Sequence, residues 1–342
     1  DTMSGVDYTK YLNKYQDEHN IPIQQGLVRY NPLQSKHLET VTLKLFDLDI
    51  DMNNLRNEQY TNQLSRIPTK IQIGQPIDDA YRRDFTINSL FYNVKNEKIE
   101  DFTDKGLHDL LVLQVLRTPL DAKTTFQEDP LRMLRAIRFY SQLSSLINIK
   151  LYFPMIQQIQ HYQHLLATKC SKERIGIEIS KICTTSYSIQ GFQCLQLLGI
   201  IKTILPSIHQ SLSISNILNQ LNVNIWSQYN QEDQQAIIMA FLFLPLVFNR
   251  FNSTSTSSQN CKKFYLDQRP SHAYFKKMKL YKMIYDTITN DLKWKKSIAH
   301  TCCVLLYGAL TYHKLFQVNN NPPFDNLQQE EFIHFIRYSK EY

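Results

Sequence analysis

Residues 128–139, with the sequence EDPLRMLRAIRF, restrict the possible folds of this chain more than any other stretch. Glu128, Asp129 and Pro130 predict a helix start, because an acidic residue can cap the first N–H groups and proline at the first helical position sacrifices no hydrogen bond. Most of the following positions are apolar, which predicts a largely buried helix. The polar exceptions form one oblique row at three-residue spacing: Asp129, Arg132, Arg135 and Arg138.

Three guanidinium groups on a largely buried helix need anionic partners, because an unpaired buried charge is costly. One interpretation of the row is an ordinary solvated face. The other is the wall of a cleft that receives an anion, such as a triphosphate or an RNA backbone, which the arginine fork binds well. The residues alone leave both interpretations open.

Alternation of apolar and polar residues predicts two strands earlier in the chain, at residues 40–45 and 46–52. Asp47, Asp49 and Asp51 fall on one face of the second strand, because strand side chains alternate. This face is interpreted either as a solvent-facing edge that resists aggregation or as a metal-binding face. Carboxylates on neighbouring strands are what a divalent-metal phosphoryl-transfer site requires.

Composition sets broader limits. The chain has 342 residues, enough for two or three domains, and a formal net charge of +7 that weakly favours a polyanionic partner. Its 6 cysteines include no Cys-x-x-Cys pair, so we expect reduced core thiols in an intracellular compartment and no zinc site. The longest apolar run, residues 236–248, is too short to span a bilayer, so we expect a buried helix and no membrane partner.

Four ordered motifs, spread over a little more than the first half of the chain, make it resemble a known family. They are Arg82-Arg83-Asp84 with Asn88; Asp101-Phe102 with Gly106 and Asp109-Leu110; Glu128-Asp129-Pro130-Leu131-Arg132 with Arg135 and Arg138; and Ser171 to Ile182. In this order and at these separations they are similar to the second to fifth motifs of class II tRNA nucleotidyltransferases. These are the CCA-adding enzymes, which are relatives of bacterial-type poly(A) polymerases. Residues 35–46 and 54–58 resemble the eukaryotic branch.

The resemblance implies that the protein itself reads a nucleotide base. Enzymes of this family add cytidine, cytidine and adenosine to tRNA 3′ ends without a nucleic-acid template. Cytosine and adenine each present an amino donor beside a ring-nitrogen acceptor, which a carboxylate and a guanidinium match. The resemblance assigns this role to Asp129 and Arg132, one turn apart on a single helix, and assigns sugar and triphosphate contacts to Arg83, Arg135 and Arg138.

Further residues of the motifs are expected to support this site. They are Arg82, Asp84, Asn88, Glu128, Glu173, Arg174 and Glu178. Of these, we expect Glu173, Arg174 and Glu178 to hold helices together rather than to touch substrate.

The sequence departs from the family at its first motif, a Gly-Gly-x-x-Arg-Asp turn followed by an Asp-x-Asp strand that holds two Mg²⁺ ions. Residues 1–5 resemble the segment that directly follows this motif, so we expect the catalytic pair to lie upstream of Asp1. The third carboxylate of the metal site is then Asp49, with Asp51 as the second choice. The polypeptide as given is not expected to catalyse nucleotide transfer, whereas the full-length protein is.

The expected fold is an α/β nucleotidyltransferase head of the polymerase-β type, incomplete at its start, followed by an all-α neck and body. Residues 1–118 form the head, residues 119–190 the neck with its base-reading helix, and residues 191–342 the RNA-binding body. Lysines alternate with aromatic residues at 274–282 and 293–296, a pattern that suits RNA contact. We prefer to interpret both stretches as amphipathic helices whose lysines extend along apolar surface.

The predicted reaction is attack of a tRNA 3′-hydroxyl on the α-phosphate of CTP or ATP, with release of pyrophosphate. We expect a monomer that acts in the nucleus, cytoplasm or mitochondrion. A poly(A)-adding enzyme, or one that adds only CC or only A, would carry the same motifs. A non-catalytic RNA-binding protein on this scaffold is the alternative from a different class.

Overall fold

The computed structural model of the chain describes residues 5–19, 24–28, 40–45, 48–59, 70–208, 229–252 and 279–316. The chain divides into two compact units, Asp1–Asp129 and Pro130–Tyr342. The first unit thus extends past the predicted end of the head at residue 118, because it includes one more helix. Two predictions fall outside the described residues: Asp47 and most of the stretch at 274–282.

The first unit contains short antiparallel sheets. Its strands are β1 (Gln24–Val28), β2 (Thr40–Leu45), β3 (Leu48–Asn53), β4 (Arg56–Gln59), β5 (Lys70–Ile73), β6 (Leu90–Asn93), β7 (Lys98–Asp101) and β8 (Val115–Leu116). The first three form one sheet in the order β1-β2-β3, while β4 pairs with β5 and β6 with β7. Val41 and Leu43 of β2 are buried, which gives this sheet one covered face. The strands predicted at residues 40–45 and 46–52 are confirmed by β2 and β3.

Helices complete the first unit. They are α1 (Gly5–His19), α2 (Pro76–Tyr81), α3 (Gly106–His108), which continues as a π-helical turn over Asp109–Leu113, and α4 (Ala122–Glu128). A 3₁₀ turn covers Thr86–Ser89. The start of α2 is fixed locally, because the backbone N–H of Gln75 donates to the carboxylate of Asp78 at 2.9 Å.

The described part of the second unit is almost entirely helical. Its elements are α5 (Leu131–Leu143), β9 (Lys150–Leu151), α6 (Phe153–Tyr162), α7 (Leu165–Lys169), α8 (Lys172–Cys183), α9 (Ser188–Leu197), α10 (Ile200–Ile204), α11 (Gln231–Asn252), α12 (Lys279–Asp286) with a π-helical turn over Thr287–Asp291, and α13 (Lys296–Phe316). Helix α5 packs against α8 and α9, and α11 packs against α13. A mixed first unit and a helical second unit were the predicted fold classes.

The predicted helix of residues 128–139 begins slightly later than expected. Helix α5 starts at Leu131, and Asp129 has φ −137° and ψ 98°, which is extended backbone. The prediction that Asp129 lies on the same helix as Arg132 is therefore wrong. The physical reason is Pro130, whose ring clashes with a helical conformation of the residue before it.

The apolar run at residues 236–248 forms the middle of α11, as predicted. Every residue from Ala236 to Leu244 is buried there. Among the described helices, none combines the length and the apolar character that crossing a bilayer requires.

A glycine on α8 permits a close approach of two segments in the second unit. A Cβ atom at Gly176 would lie 1.8 Å from the carbonyl oxygen of Leu292, whose backbone runs directly over the helix. The indole Nε1 of Trp294 donates to the carbonyl of Gly176 at 2.9 Å, which holds the two segments together. A side chain at position 176 would therefore force the backbone apart.

We expect Gly176→Ala to lower the free energy of unfolding by about 1–3 kcal/mol, the range for overpacking a filled interior. Gly191→Ala is the matched control, because its Cβ would first meet the Ser141 hydroxyl at 2.3 Å, which is a side chain and can move. Urea unfolding of both variants measures the difference. Equal losses in the two variants would contradict the close backbone approach.

Candidate functional site

A buried carboxylate on α2 holds two arginines. Oδ1 of Asp79 accepts from Nε and Nη2 of Arg82 at 2.8 and 2.5 Å, and Oδ2 accepts from Nε and Nη2 of Arg83 at 2.9 and 2.8 Å. The Asp79 residue is 1% exposed. Arg83 also donates to the carbonyl of Asn88 at 3.1 Å, and its guanidinium lies 4.8 Å from the ring centroid of Phe91. Because each guanidinium donates two hydrogen bonds to this one carboxylate, the directions of both arginine side chains are fixed.

The ionisation of Asp79 follows from these contacts. Burial by itself raises the pKa of a carboxyl group, but the charges and hydrogen bonds of Arg82 and Arg83 outweigh this effect. The pKa of Asp79 therefore lies below its ordinary value of 3.8, and the group is a carboxylate at neutral pH.

Two of the predicted supporting residues stabilise the turn after α2. Oδ1 of Asp84 accepts from the backbone N–H of Phe85 at 3.0 Å and from Nδ2 of Asn88 at 3.1 Å. Asp84 is buried, so these bonds replace the water that it loses on folding. These contacts fix the turn, and the supporting role of Asp84 and Asn88 at a nucleotide site stays a prediction.

The second motif of the sequence builds the scaffold behind this turn. Asp101 accepts from the backbone N–H of Leu107 at 2.9 Å and from the hydroxyl of Thr103 at 2.8 Å. Asp109 is fully buried and accepts from the hydroxyl of Thr86 at 2.6 Å and from Nε of Arg117 at 3.0 Å. These bonds connect the turn at Thr86 to α3 and β8.

The predicted nucleotide-contacting arginines of α5 have two different environments. Arg132 and Arg135 are half-buried, and the guanidinium of Arg135 lies 5.5 Å from the ring centroid of Phe139. Asp129 is also half-buried, and it has extended backbone directly before Pro130. The assignment of base reading to Asp129 and Arg132 stays a prediction.

Arg138 has the second environment, because it is buried against α8. Its Nε donates to Oε2 of Glu178 at 2.7 Å and its Nη1 donates to Gln142 at 3.1 Å, while the guanidinium lies 4.1 Å from the Phe139 ring centroid. Each residue of a helix turns by about 100°, so Arg138 is displaced by about 120° around α5 from Arg132. This rotation accounts for its different partner, and it favours a positioning role for Arg138 over the predicted contact with nucleotide.

The other predicted supporting residues lie at helix ends. Ser171 caps α8 by accepting from the backbone N–H of Arg174 at 3.5 Å. The pKa of Glu173 is lowered, first by a hydrogen bond from its own backbone N–H, with further contributions from Ser171, Lys293 and Lys172. Glu128 is the last residue of α4 and is half-buried.

The predicted catalytic carboxylates lie together on β3. Asp49 and Asp51 are both exposed, and Oδ1 of Asp51 accepts from the Thr42 hydroxyl at 2.8 Å. Carboxylate oxygens are the ligands that Mg²⁺ takes, and it needs only one or two from the protein when phosphates supply the rest. The described residues contain no group of three His, Cys, Asp or Glu side chains that could hold a metal ion. These two carboxylates therefore provide part of a metal site at most.

Two family profiles match the chain. One, described as the Poly A polymerase head domain, matches residues 2–116, and another, described as a probable RNA and SrmB-binding site of polymerase A, matches residues 154–212. The mitochondrial CCA tRNA nucleotidyltransferases of Candida glabrata and Saccharomyces cerevisiae are 44% and 43% identical over 199 residues. The matched segments of the chain are therefore similar to the poly(A) polymerase head domain and to CCA tRNA nucleotidyltransferases.

The match to these relatives is partial. It covers 57% of this chain and 36% of the length of each of the two mitochondrial enzymes. The chain thus spans little more than a third of the curated relatives that it matches.

Solved structures of CCA-adding enzymes share the fold. The TM-score is 0.54 against the Bacillus stearothermophilus enzyme in complex with CTP, at 16% identity, and the match covers 92% of this chain and 68% of that one. The TM-score is 0.50 against the Thermotoga maritima enzyme complexed with tRNA, at 15% identity, and the match covers 98% of this chain and 72% of that one. At these identities the likeness establishes the fold, and it confirms the predicted nucleotidyltransferase head with a helical remainder.

The sequence motifs do not include two residues that organise this scaffold. Asp79 is one of them, although it holds both arginines of the Arg82-Arg83-Asp84 motif. Arg117 is the other, although it pairs with the buried Asp109. The spacing of Asp79 three and four residues before Arg82 and Arg83 was the available signal, since such positions meet on a helix face.

We expect Asp79→Asn to lower the free energy of unfolding at pH 7 by about 1–3 kcal/mol, because two guanidiniums lose their charged partner. A carboxyl group with a lowered pKa stabilises the fold above its unfolded value of 3.8, and this contribution is lost as the pH falls through the lower folded value. The difference from wild type should therefore shrink below about pH 4. Urea unfolding between pH 2.5 and 7 measures it, with the exposed Asp121→Asn as control. A difference that does not change with pH would contradict the role of the charge.

We expect Glu178→Leu and Arg138→Met to cost about 3–5 kcal/mol each, because either change removes the nearest opposite charge from a buried ionised group. The double variant should recover most of this loss. Thermal unfolding of the three variants measures the coupling, and CTP binding by the double variant tests the role of Arg138. Retained CTP binding would identify Arg138 as an anchor, whereas lost binding in a folded double variant would restore the predicted nucleotide contact.

Proposed function

We propose that this chain is part of an enzyme that adds CCA to tRNA 3′ ends, using CTP and ATP without a nucleic-acid template. The observation that carries the proposal is the 44% identity over 199 residues to an enzyme named for this activity. The half-buried Arg132 and Arg135 on α5, next to an anchored Arg138, support it. Half-buried arginines fit a nucleotide-binding surface better than they fit an ordinary solvated face.

In the proposed site, Asp129 and Arg132 select the base. The carboxylate accepts from the amino group of cytosine or adenine, and the guanidinium donates to the neighbouring ring nitrogen. Uracil and guanine present the opposite groups at these positions, so they would leave both side chains unpaired. Arg83 and Arg135 bind sugar and triphosphate, while Arg82, Asp84 and Asn88 hold the turn that carries Arg83.

Mg²⁺ belongs to the proposal as the ion that Asp49 and Asp51 would help to hold. When bound, it would neutralise phosphate charge in the transferring group. The described residues supply only these two oxygen ligands on β3, so no step of the reaction is assigned to the ion.

The partner proposed for this site is tRNA, since a solved enzyme with the same fold is a tRNA complex. The relatives from Candida glabrata and Saccharomyces cerevisiae are named as mitochondrial, so we propose an intracellular location that includes the mitochondrion. A monomeric state and additional nuclear or cytoplasmic locations stay predictions.

A poly(A)-adding enzyme is the second candidate, because both matching profiles are described as parts of poly(A) polymerase. Incubation of the protein expressed from its complete gene with tRNA lacking CCA, with CTP and ATP supplied separately and together, separates the two. Incorporation of two cytidines and then one adenosine supports CCA addition. Long adenosine tails without CTP would favour the second candidate, and no incorporation would favour a non-catalytic RNA-binding protein.

We expect Arg132→Ala to reduce the preference for CTP and ATP over UTP and GTP by at least about tenfold, since one paired hydrogen bond to the base edge is worth about 1–3 kcal/mol. Competition between the four nucleotides, measured in binding to the chain and in incorporation by the full-length enzyme, gives the change. Lys123→Ala is the control, because it removes a positive charge from an exposed position on α4. Unchanged selectivity in Arg132→Ala would exclude this residue from base reading.

A further inference from the structure

A cavity of about 540 Å³ lies in the second unit, beside one face of α8. Its other walls are the start of α11 and residues 292–295, which we call the connector because they join the π-helical turn to α13. The volume lies within the range of small-ligand pockets. The face of α8 that lines it follows helical spacing: Glu173, Gly176, Ile177, Ser180 and Lys181.

The connector is fixed against α8. The backbone N–H of Trp294 donates to the carbonyl of Ile288 at 3.1 Å, and its indole donates to Gly176. Nζ of Lys172 lies 2.6 Å from the carboxylate of Asp291. The pocket wall that carries Trp294 is therefore built in place and does not depend on a ligand.

The connector also corrects one expectation. Residues 293–295 are not helical, and Lys293 has a positive φ of 56°. The interpretation of this stretch as an amphipathic helix is therefore wrong for these residues. Its lysines are exposed around the pocket instead of lying along a helix, which revives the interpretation as an RNA contact.

The lining combines an apolar wall with a cationic rim. Trp294, Ile177 and Ile298 contribute aromatic and aliphatic surface. Lys181, Lys293 and Lys295 lie at the rim, where the side chains of Lys181 and Lys295 are 50% and 73% exposed.

Both carboxylates of the lining are close to cations. Glu232 pairs with Lys295, and the hydroxyl of Ser297 donates to it at 3.3 Å. The positive charge of Lys293 favours the ionised form of Glu173. These neighbours reduce the repulsion that an incoming phosphate would meet.

We propose that this pocket binds an unpaired nucleotide of an RNA, with the base against Trp294 and Ile177 and the adjoining phosphates at Lys181 and Lys293. Bases pack on aromatic side chains without regard to sequence, and lysines bind the backbone. The inference rests on the proposed function, because it takes the RNA to be the substrate, but it concerns a site apart from α5. Glu178 bonds to Arg138 of α5, and its other oxygen lies 3.9 Å from Nζ of Lys181 at the pocket rim.

Paired surface variants test the pocket. Ile177→Glu places a carboxylate in the lining at a residue that is 52% exposed, and Leu197→Glu makes the same change at a residue that is 78% exposed and is not part of the lining. We expect Ile177→Glu to weaken binding of a tRNA transcript that lacks CCA by about tenfold, as loss of one base contact does, and Leu197→Glu to leave it unchanged. Gel-shift titration at fixed salt gives both affinities.

Lysine variants test the phosphate contact. We expect Lys293→Gln to reduce the slope of log affinity against log salt by about 0.7, the value for one phosphate of a single strand. Lys282→Gln, at an exposed position of α12 outside the pocket, should leave the slope unchanged.

Fluorescence identifies the bound group. The chain has 2 tryptophans, so Trp226→Phe leaves Trp294 as the only indole. We expect a single-stranded RNA to quench its emission, and a blunt, fully paired hairpin of equal length to leave it unchanged. Equal quenching by the hairpin would overturn the assignment of an unpaired nucleotide.

Equal RNA affinity in Ile177→Glu and Leu197→Glu would overturn the pocket proposal and would be expected if the cavity bound a protein segment. That outcome leaves the proposed function intact, because CCA addition is judged by nucleotide incorporation and by the selectivity of Arg132→Ala. Failure of the unmodified chain to bind any RNA would overturn the pocket proposal alone.

Discussion

The need of a buried carboxylate for a cationic partner organises the polar part of this protein. Asp79, Asp109 and Glu178 are almost completely buried, and each accepts from one or two arginines. A planar guanidinium held through two of its nitrogens loses most of its freedom to rotate. These acids therefore decide where the arginines of both units point, and they connect helices and turns that hydrophobic contact alone would leave free to slide.

Much of the fold was predictable because it depends on local sequence. Alternation marked β2 and β3, a long apolar run marked α11, and Pro130 marked the start of α5. The same proline also produced an error, since its effect on Asp129 was not considered. A proline restricts the residue before it as well as itself, and that residue is driven into extended backbone even where a helical sequence pattern continues through it.

The candidate site was predictable only in part. Its residue types can be recognised from short stretches of sequence, whereas its ion pairs join residues that are far apart in the chain. The arginine row on α5 could be read from spacing, but the partner of Arg138 is 40 positions away, on another helix. The role of Asp79 could have been predicted from helix periodicity. The pairing of Asp109 with Arg117 could not, because it depends on how the chain turns back through β8. The connector shows the same limit, since the lysine and aromatic pattern of residues 293–296 fits a helix and a loop equally well, and its contact with Gly176 spans 118 positions.

Helix α8 is shared by two sets of contacts on opposite sides. Its Glu178 side is bonded to α5, and its Gly176 side is pressed against the connector. A helix behaves as a rod in which every side chain keeps a fixed angle to the others, so a twist that improved the fit on one side would spoil the fit on the other. A substitution that turned this rod would therefore have to be matched by changes in both of its neighbours.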